Sequence, residues 1–390
     1  QSLPHSRFQV QRWNVLRVVV PSRAVKLDRV IMEVLIDCYF DRFFEKMDRS
    51  SLASRHKRRQ LVKFFSDLIN NCAEAEGLDR ADVCERVVRA ALRYHNISMA
   101  DNGSVCMLGK FHNVLYIAAK LCYDWRLDNS ELVAKILSDM YYCEKTFERI
   151  FVGAIFGTRV THFLSGWKSD FDDREENVKA LVYFLDHAVR ARLEFYYQPL
   201  ATKRRFIDVP MESYGQSLPL RVAVQNGSAD VVQIMLRYGA SNEEDTASLA
   251  PAPIETLLSR LNEHCENSNH TSVRPSIDGE IEGASSACPP ELLGCLKLLL
   301  RSMPGVYVRV PGHLADSCGI QRVPVLEQYP GVAAKGLLPP ERSGQCPAEL
   351  RHLARCRVRS CLAKNWALPH GIAKLQIPAT LRDYLDLRED

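Results

Sequence analysis

An all-α fold is what this sequence predicts, and three observations carry the prediction. Apolar residues recur at helical spacing through most of the chain. Gly227 and Gly239 close two short apolar segments in the middle. The last fifty residues contain an apolar stripe with arginines set off from it. With 390 residues, the chain has room for two or three domains of about 150 residues each. Its 46% hydrophobic and 25% charged content excludes wholesale disorder, a collagen-like repeat and a disulfide miniprotein. No apolar run reaches 18 residues, so no membrane-spanning helix is expected. Lys and Arg number 51 against 47 Asp and Glu, a net +4 that is too balanced to demand a nucleic-acid partner.

The 13 cysteines include no C-x-x-C pair, so zinc ribbons and RING-type sites lack their ligands. Their odd number and their place in apolar helical patterns predict free, buried thiols in a reducing compartment, the cytoplasm or the nucleus. No signal peptide opens the chain; it begins at Gln1, so residues ahead of it, with any targeting segment they carry, lie outside the reading.

Residues 1–105 read as an N-terminal helical region. Within 28–47, Val30, Ile31, Val34, Leu35 and Cys38 fall on one stripe, which predicts a helix buried on that side. The run Arg55, His56, Lys57, Arg58, Arg59 reads as a solvated helix start, with a nuclear-import patch as the sharper alternative. No aromatic residues interleave with it, as single-stranded nucleic-acid binding would need.

Residues 106–305 show a rough internal repeat, clearest at 218–242. Leu218-Pro219-Leu220-Arg221-Val222-Ala223 leads to Gly227, and Asp230–Arg237 leads to Gly239-Ala240. This unit resembles an ankyrin repeat: Pro219 suits a first helical turn, Ala223 lets helices approach, and both glycines sit where a helix stops with positive φ. Leu218 and Arg221 replace the usual Thr and His, so the hydrogen bond between those is lost. One unit cannot bury its own faces, and about three are needed. Weaker copies are read at 113–119 with 131–137, at 151–157 with Val160, Phe163, Leu164 and Gly166, at 178–185 and at 291–300. For these a generic helical array fits somewhat better than true ankyrin units. Residues 262–290, rich in Asn, Ser, Glu and Gly, read as a mobile insert, and 306–345, rich in Pro and Gly, as a linker.

In the last segment, Leu350, Leu353, Ala354, Val358, Cys361 and Leu362 form one apolar stripe, with Arg351, Arg355 and Arg359 away from it. Periodicity alone predicts a C-terminal helix docked on its own core. The residues beyond Leu362 change the balance. Leu375-Gln376-Ile377-Pro378 and then Leu381, Tyr384 and Leu385 complete three ordered blocks that resemble the SOCS box over 346–390. Ankyrin-like repeats ahead of a SOCS box are the arrangement of the ankyrin repeat and SOCS box family, which this chain resembles.

The resemblance implies an ankyrin-like helical array with a C-terminal three-helix SOCS box. It implies a non-catalytic substrate-recognition subunit of a cullin–RING ubiquitin ligase, with no cofactor and no catalytic residue. The expected Elongin C contacts are Leu350, Leu353, Ala354, Val358 and Leu362. The expected cullin contacts are Leu375, Ile377, Pro378 and Leu381. Tyr384 and Leu385 are expected to close the box from within, and His352 to be a contact at the rim of the Elongin site. The partners implied are Elongin B/C, cullin-5 with a RING protein, and an unknown protein substrate; neither nucleic acid nor membrane is among them. Ala354 stands where the family usually has Cys, which weakens adaptor binding by about 1 kcal/mol per lost heavy atom. Gln376 replaces the first Pro of the cullin segment, which leaves cullin-2 as the alternative to cullin-5. Substrate is expected on the array, near the turn at Gln225 and Asn226. The rival reading is an ankyrin scaffold without a ligase. No nucleotide-loop, nucleophile-elbow, zinc-protease or kinase signature is present, the histidines are dispersed, and no metal site is expected.

Overall fold

In the computed structural model, the residues described are 34, 36–44, 46–48, 54–107, 109–157, 169–242, 251–270, 288–311, 320–323 and 325–389. They form a mostly helical molecule with two small antiparallel hairpins. The helices are α1 (Arg55–Glu76), α2 (Arg80–Asp101), α3 (Lys110–Asp124), α4 (Ser130–Glu144), α5 (Glu148–Phe156) and α6 (Arg174–Arg190). The hairpin of β1 (Glu194–Tyr197) and β2 (Thr202–Arg205) comes next. The short pair α7 (Pro219–Gln225) and α8 (Ala229–Arg237) leads on to α9 (Pro253–His270) and α10 (Pro290–Ser302).

Helix starts and stops obey local chemistry. Asp79, Asn129 and Asp173 each cap a helix by accepting a backbone N–H: Ala81 at 3.2 Å, Leu132 at 3.1 Å and Glu176 at 2.8 Å. The caps matter because the first N–H groups of a helix have no partner within it. Gly227 and Gly239 adopt φ of 72° and 77°, the left-handed conformation expected of them. Leu218 precedes α7 without any side-chain cap, as its replacement of Thr implies.

Neighbouring helices share one core. Helix α2 packs on α3, α5 on α6, and α8 on α10. Val114, Leu115 and Ala118 on α3, Val133, Ile136 and Leu137 on α4, and Leu181 and Phe184 on α6 are buried in it. So are Leu292, Leu296 and Leu299 on α10. Helix α5 comes close at Gly153, where a Cβ would lie 2.0 Å from Asn177 Oδ1. The expected Val160, Phe163, Leu164 and Gly166 lie outside the described residues.

Four sequence expectations are corrected. In the first, the N-terminal stripe is rotated. Val34 is 53% exposed and Cys38 is exposed, while Ile36, Phe40 and Phe44 are buried, the last two on a π-helical turn at Phe40–Phe44. Residues 28–33 and Leu35 lie outside the described residues. Stacking of Phe40 on both Phe44 and Phe65 explains the choice, because aromatic rings bury the most area.

The second concerns the basic run, which starts α1 with His56, Lys57 and Arg59 exposed as expected but turns Arg55 and Arg58 inward. Arg58 is fully buried and meets the Asp170 carboxylate at 2.8 Å, Arg55 donates to the Phe171 carbonyl at 2.6 Å, and Arg59 pairs with Asp172. A buried charge persists only when paired, so Arg58 is a structural clamp, whereas the Arg59–Asp172 pair lies at the surface.

The third is the 262–290 insert: residues up to His270 continue α9, with Cys265 fully buried, and α10 begins at Pro290. Residues 271–287 lie outside the described residues.

The fourth is the 306–345 linker, which is structured. It contains the hairpin of β3 (Val308–Pro311) and β4 (Ile320–Val323), then α11 (Val325–Gln328), α12 (Pro330–Ala334) and α13 (Pro340–Ser343). Val306, Val325, Val332 and Leu338 join the core, and α12 packs on α9. There Asn262 Oδ1 accepts the Gly331 N–H at 2.7 Å.

Candidate functional site: an outward-facing apolar ridge

The chain ends in α14 (Leu350–Lys364), α15 (His370–Ala373) and α16 (Ala379–Leu385). Proline governs two of the entries. Pro347 lies just ahead of α14, and Pro378 immediately precedes α16 with φ −53° and ψ 152°. Leu368, Ile372 and Leu385 form a separate small core, with Val358, Leu362, Ala363, Leu375 and Ile377 packed against it.

Helix α14 is turned with its polar side inward. His352, Arg355 and Arg359, at i, i+3 and i+7, are its buried residues. His352 Nε2 lies 2.8 Å from the Met303 carbonyl, and its Nδ1 lies 3.0 Å from Arg355 Nη2. These partners assign a neutral ring, with Nε2–H donating and Nδ1 accepting. Burial, with Arg342 and Arg355 nearby, holds the imidazole below its ordinary pKa. His352 is therefore an internal brace, and its expected place on the rim is corrected: its ring is fully buried and both nitrogens meet partners within the chain.

Arg359 reaches across the junction with the array. Its Nη1 donates to the Leu385 carbonyl at 2.7 Å and its Nη2 to the Leu236 carbonyl. Both carbonyls lie in the last turn of a helix, where acceptors lack intrahelical donors. The guanidinium thus caps α16 and α8 together, and burial pushes its pKa down to about 10. Arg355 and Arg351 each stand 4.1 Å from the centre of the buried Tyr384 ring.

Further contacts tie the box to the array. Asp386 pairs with Arg237 at 2.6 Å, Gln233 donates to the Leu387 carbonyl at 3.3 Å, and His370 meets Asp186 at 2.7 Å. A Cβ on Gly239 would lie 3.1 Å from Leu368 Cδ1, so glycine permits this close approach.

The opposite side of α14 faces outward and carries Leu350, Leu353 and Ala354, with Arg357 and Lys364 beside them. Leu350 is 84% exposed, Leu353 38%, and Ala354 is exposed as well. Val358 and Leu362 are half-buried against the box's own small core. The five residues of the expected adaptor stripe therefore divide: three stand free and two are shared with the box interior. Of the expected cullin contacts, Leu381 is 38% exposed, Pro378 is exposed, and Leu375 and Ile377 are half-buried. Tyr384 and Leu385 are buried.

The turn expected to meet substrate is at the surface, with Asn226 exposed and Gln225 half-buried, and is tied to its neighbours. Asn226 Nδ2 donates to the Ile155 carbonyl at 3.1 Å, and Arg260 donates to the Gln225 carbonyl. No described helix is both long and apolar enough to cross a membrane.

Comparison with known proteins places these features. The SOCS box family profile matches residues 346–386, the segment that holds the ridge. Ankyrin repeat and SOCS box protein 17 of Mus musculus is 27% identical over 169 residues, 43% of this chain and 49% of that protein. The proteins of the same name from Canis lupus familiaris and Homo sapiens are 26% identical over the same shares. The chain thus spans about half the length of the curated relatives it matches. No solved structure matches. The sequence itself points to the same family member through Leu368-Pro369-His370-Gly371-Ile372, Ile377-Pro378-Ala379 and Tyr384-Leu385-Asp386-Leu387. In sequence and in its helical build, the chain resembles the ankyrin repeat and SOCS box proteins, with the SOCS box at its carboxyl end.

Proposed function

We propose that this chain is a substrate-recognition subunit of a cullin–RING ubiquitin ligase. One observation carries the proposal: α14 buries His352, Arg355 and Arg359 and leaves Leu350, Leu353 and Ala354 outside. A helix normally buries its apolar stripe against its own chain. An inverted helix at the end of a folded array is suited to receive another protein.

In this reading, Elongin C of the Elongin B/C pair covers Leu350, Leu353 and Ala354, with Val358 and Leu362 at the far end of the contact. Leu350 is the anchor. Fully burying a leucine contributes about 1.5–3 kcal/mol, much of which offsets the entropy of association. Cullin-5, carrying its RING protein, meets Leu381 and Pro378, with Leu375 and Ile377 behind them; Gln376 keeps cullin-2 as the alternative. A protein substrate binds the helical array.

The chain contributes proximity, since a tethered target meets the conjugating enzyme at high effective concentration. Ubiquitin transfer itself belongs to the partners, so the chain is assigned no catalytic residue and no cofactor.

Co-purification with Elongins B and C tests the assignment. Leu350→Asp is expected to lower recovery of both at least about a hundredfold, the effect of roughly 3 kcal/mol. The melting temperature should stay within about a degree, because the side chain is 84% exposed. Unchanged recovery would reject the ligase reading in favour of a free-standing scaffold.

A further inference from the structure

Far from the ridge in sequence, the fold brings together four side chains that the sequence scatters. His95 lies on α2, Cys106 on the loop that joins α2 to α3, His112 in the first turn of α3, and Cys143 in the last turn of α4. Each offers one ligand atom, and these atoms all lie within 4.8 Å of one another. We propose that His95, Cys106, His112 and Cys143 form a tetrahedral Cys2His2 site for a structural zinc ion.

Geometry is the first support. His95 Nε2 lies 3.6 Å from Cys106 Sγ and 3.4 Å from Cys143 Sγ. With Zn–S near 2.3 Å and Zn–N near 2.05 Å, a tetrahedron places sulfur and nitrogen about 3.6 Å apart. The spacing is therefore that of two ligands around one ion.

Unmet valence is the second support. His95 is fully buried and His112 is 2% exposed, and Nδ1 of His112, the nitrogen that would ligate, has no hydrogen-bond partner. Leaving a buried polar nitrogen unpaired costs about 1–3 kcal/mol.

His112 shows what the arrangement is for. Its Nε2 is held by the Glu144 carboxylate, which also accepts from Tyr116 Oη at 2.7 Å and pairs with Arg149 at 3.1 Å. A carboxylate on one ring nitrogen orients the other toward a metal and raises its basicity. His112 Nδ1 and His95 Nε2 are the two imidazole ligands in this arrangement.

Donor chemistry selects the ion. Two thiolates balance a divalent charge, and a set with no oxygen ligand suits zinc over calcium or magnesium. All four positions are filled by the protein, which marks a structural site and leaves no open position for catalysis. Its effect would be to pin residues 102–107 against the end of α4. Tyr142, beside Cys143, already donates to the Ser104 carbonyl of that loop at 3.0 Å.

Elemental analysis of the full chain, purified without chelator and dialysed, tests the site. About one zinc per chain is expected, falling more than tenfold in a Cys106→Ser, Cys143→Ser double variant. Substituting the exposed Cys38 and Cys361 with Ser should leave it unchanged. Cobalt(II) added to the metal-free chain should give the absorption of a tetrahedral site with thiolate charge transfer. This second readout uses the unmutated chain, so it decides even where the variant does not fold. Less than about a tenth of an equivalent of zinc in the folded chain, cobalt binding without thiolate absorption, or full metal retention in the double variant would overturn the proposal.

Discussion

Helices α8 and α14 touch the same side chain, Arg359, yet they are built on opposite plans. Helix α8 buries Val231, Val232, Met235 and Leu236 and keeps Asp230 at the surface, where it pairs with Arg174 at 2.7 Å. Helix α14 buries His352, Arg355 and Arg359 and leaves Leu350 and Leu353 outside. The difference teaches that periodicity identifies a stripe without saying which way it faces. An inward polar stripe needs partners for its groups, and here the Met303, Leu236 and Leu385 carbonyls and the Tyr384 ring supply them.

The sharpest test of this contrast places the same charge on each apolar stripe. Leu236→Asp, at a site only 2% exposed, should destabilise the chain by more than about 4 kcal/mol in denaturant titration. Leu350→Asp should leave that midpoint unchanged and abolish adaptor binding. Equal destabilisation by the two would erase the contrast.

Next in size is Arg359→Ala, which leaves the Leu236 and Leu385 carbonyls without their donor. A loss of about 3 kcal/mol is expected, seen as early hydrogen exchange in α16. Exchange that is unaltered there would show that the guanidinium does not hold the box.

A gain is expected from Ala354→Cys, which restores one heavy atom at the ridge. Affinity for Elongin B/C should rise about fivefold, the equivalent of about 1 kcal/mol, in a calorimetric titration. Weaker binding would place Ala354 outside the contact.

The smallest effect is electrostatic. Burial lowers the His352 pKa, so the unfolded chain binds the proton more readily than the folded one. The stability that His352 contributes is fully present above its ordinary pKa of about 6.5 and is lost as pH falls below it. The melting temperature should fall more steeply on acidification than in His352→Gln, whose amide cannot titrate. Identical slopes would assign the acid sensitivity to other groups.

Much of this was legible in the residues. Pro219, Gly227 and Gly239 located the paired helices, because proline and glycine impose backbone geometry locally. Leu350 and Leu353 were legible as a stripe, and three ordered blocks tied that stripe to an adaptor-binding box. Where sequence reading failed, the deciding partner lies far along the chain. Arg58 looked solvated because Asp170 is 112 residues away. His352 looked peripheral because the Met303 carbonyl is 49 residues away. Polar composition suggested a loop at 262–270, where buried Leu261 and Cys265 hold a helix. His95, Cys106, His112 and Cys143 match no short metal motif, since three helices and a loop must fold before they meet.

The double cap made by Arg359 has a mechanical corollary. One planar group grips the final turns of two helices, while Asp386 and Arg237 lock the same seam a few residues away. Such a joint resists swivelling, so the ridge and the array should turn as a single lever. Cargo seated on the array would then approach a docked adaptor from one fixed bearing, and the freedom to bring a target lysine within reach must reside in the cargo or in the partners.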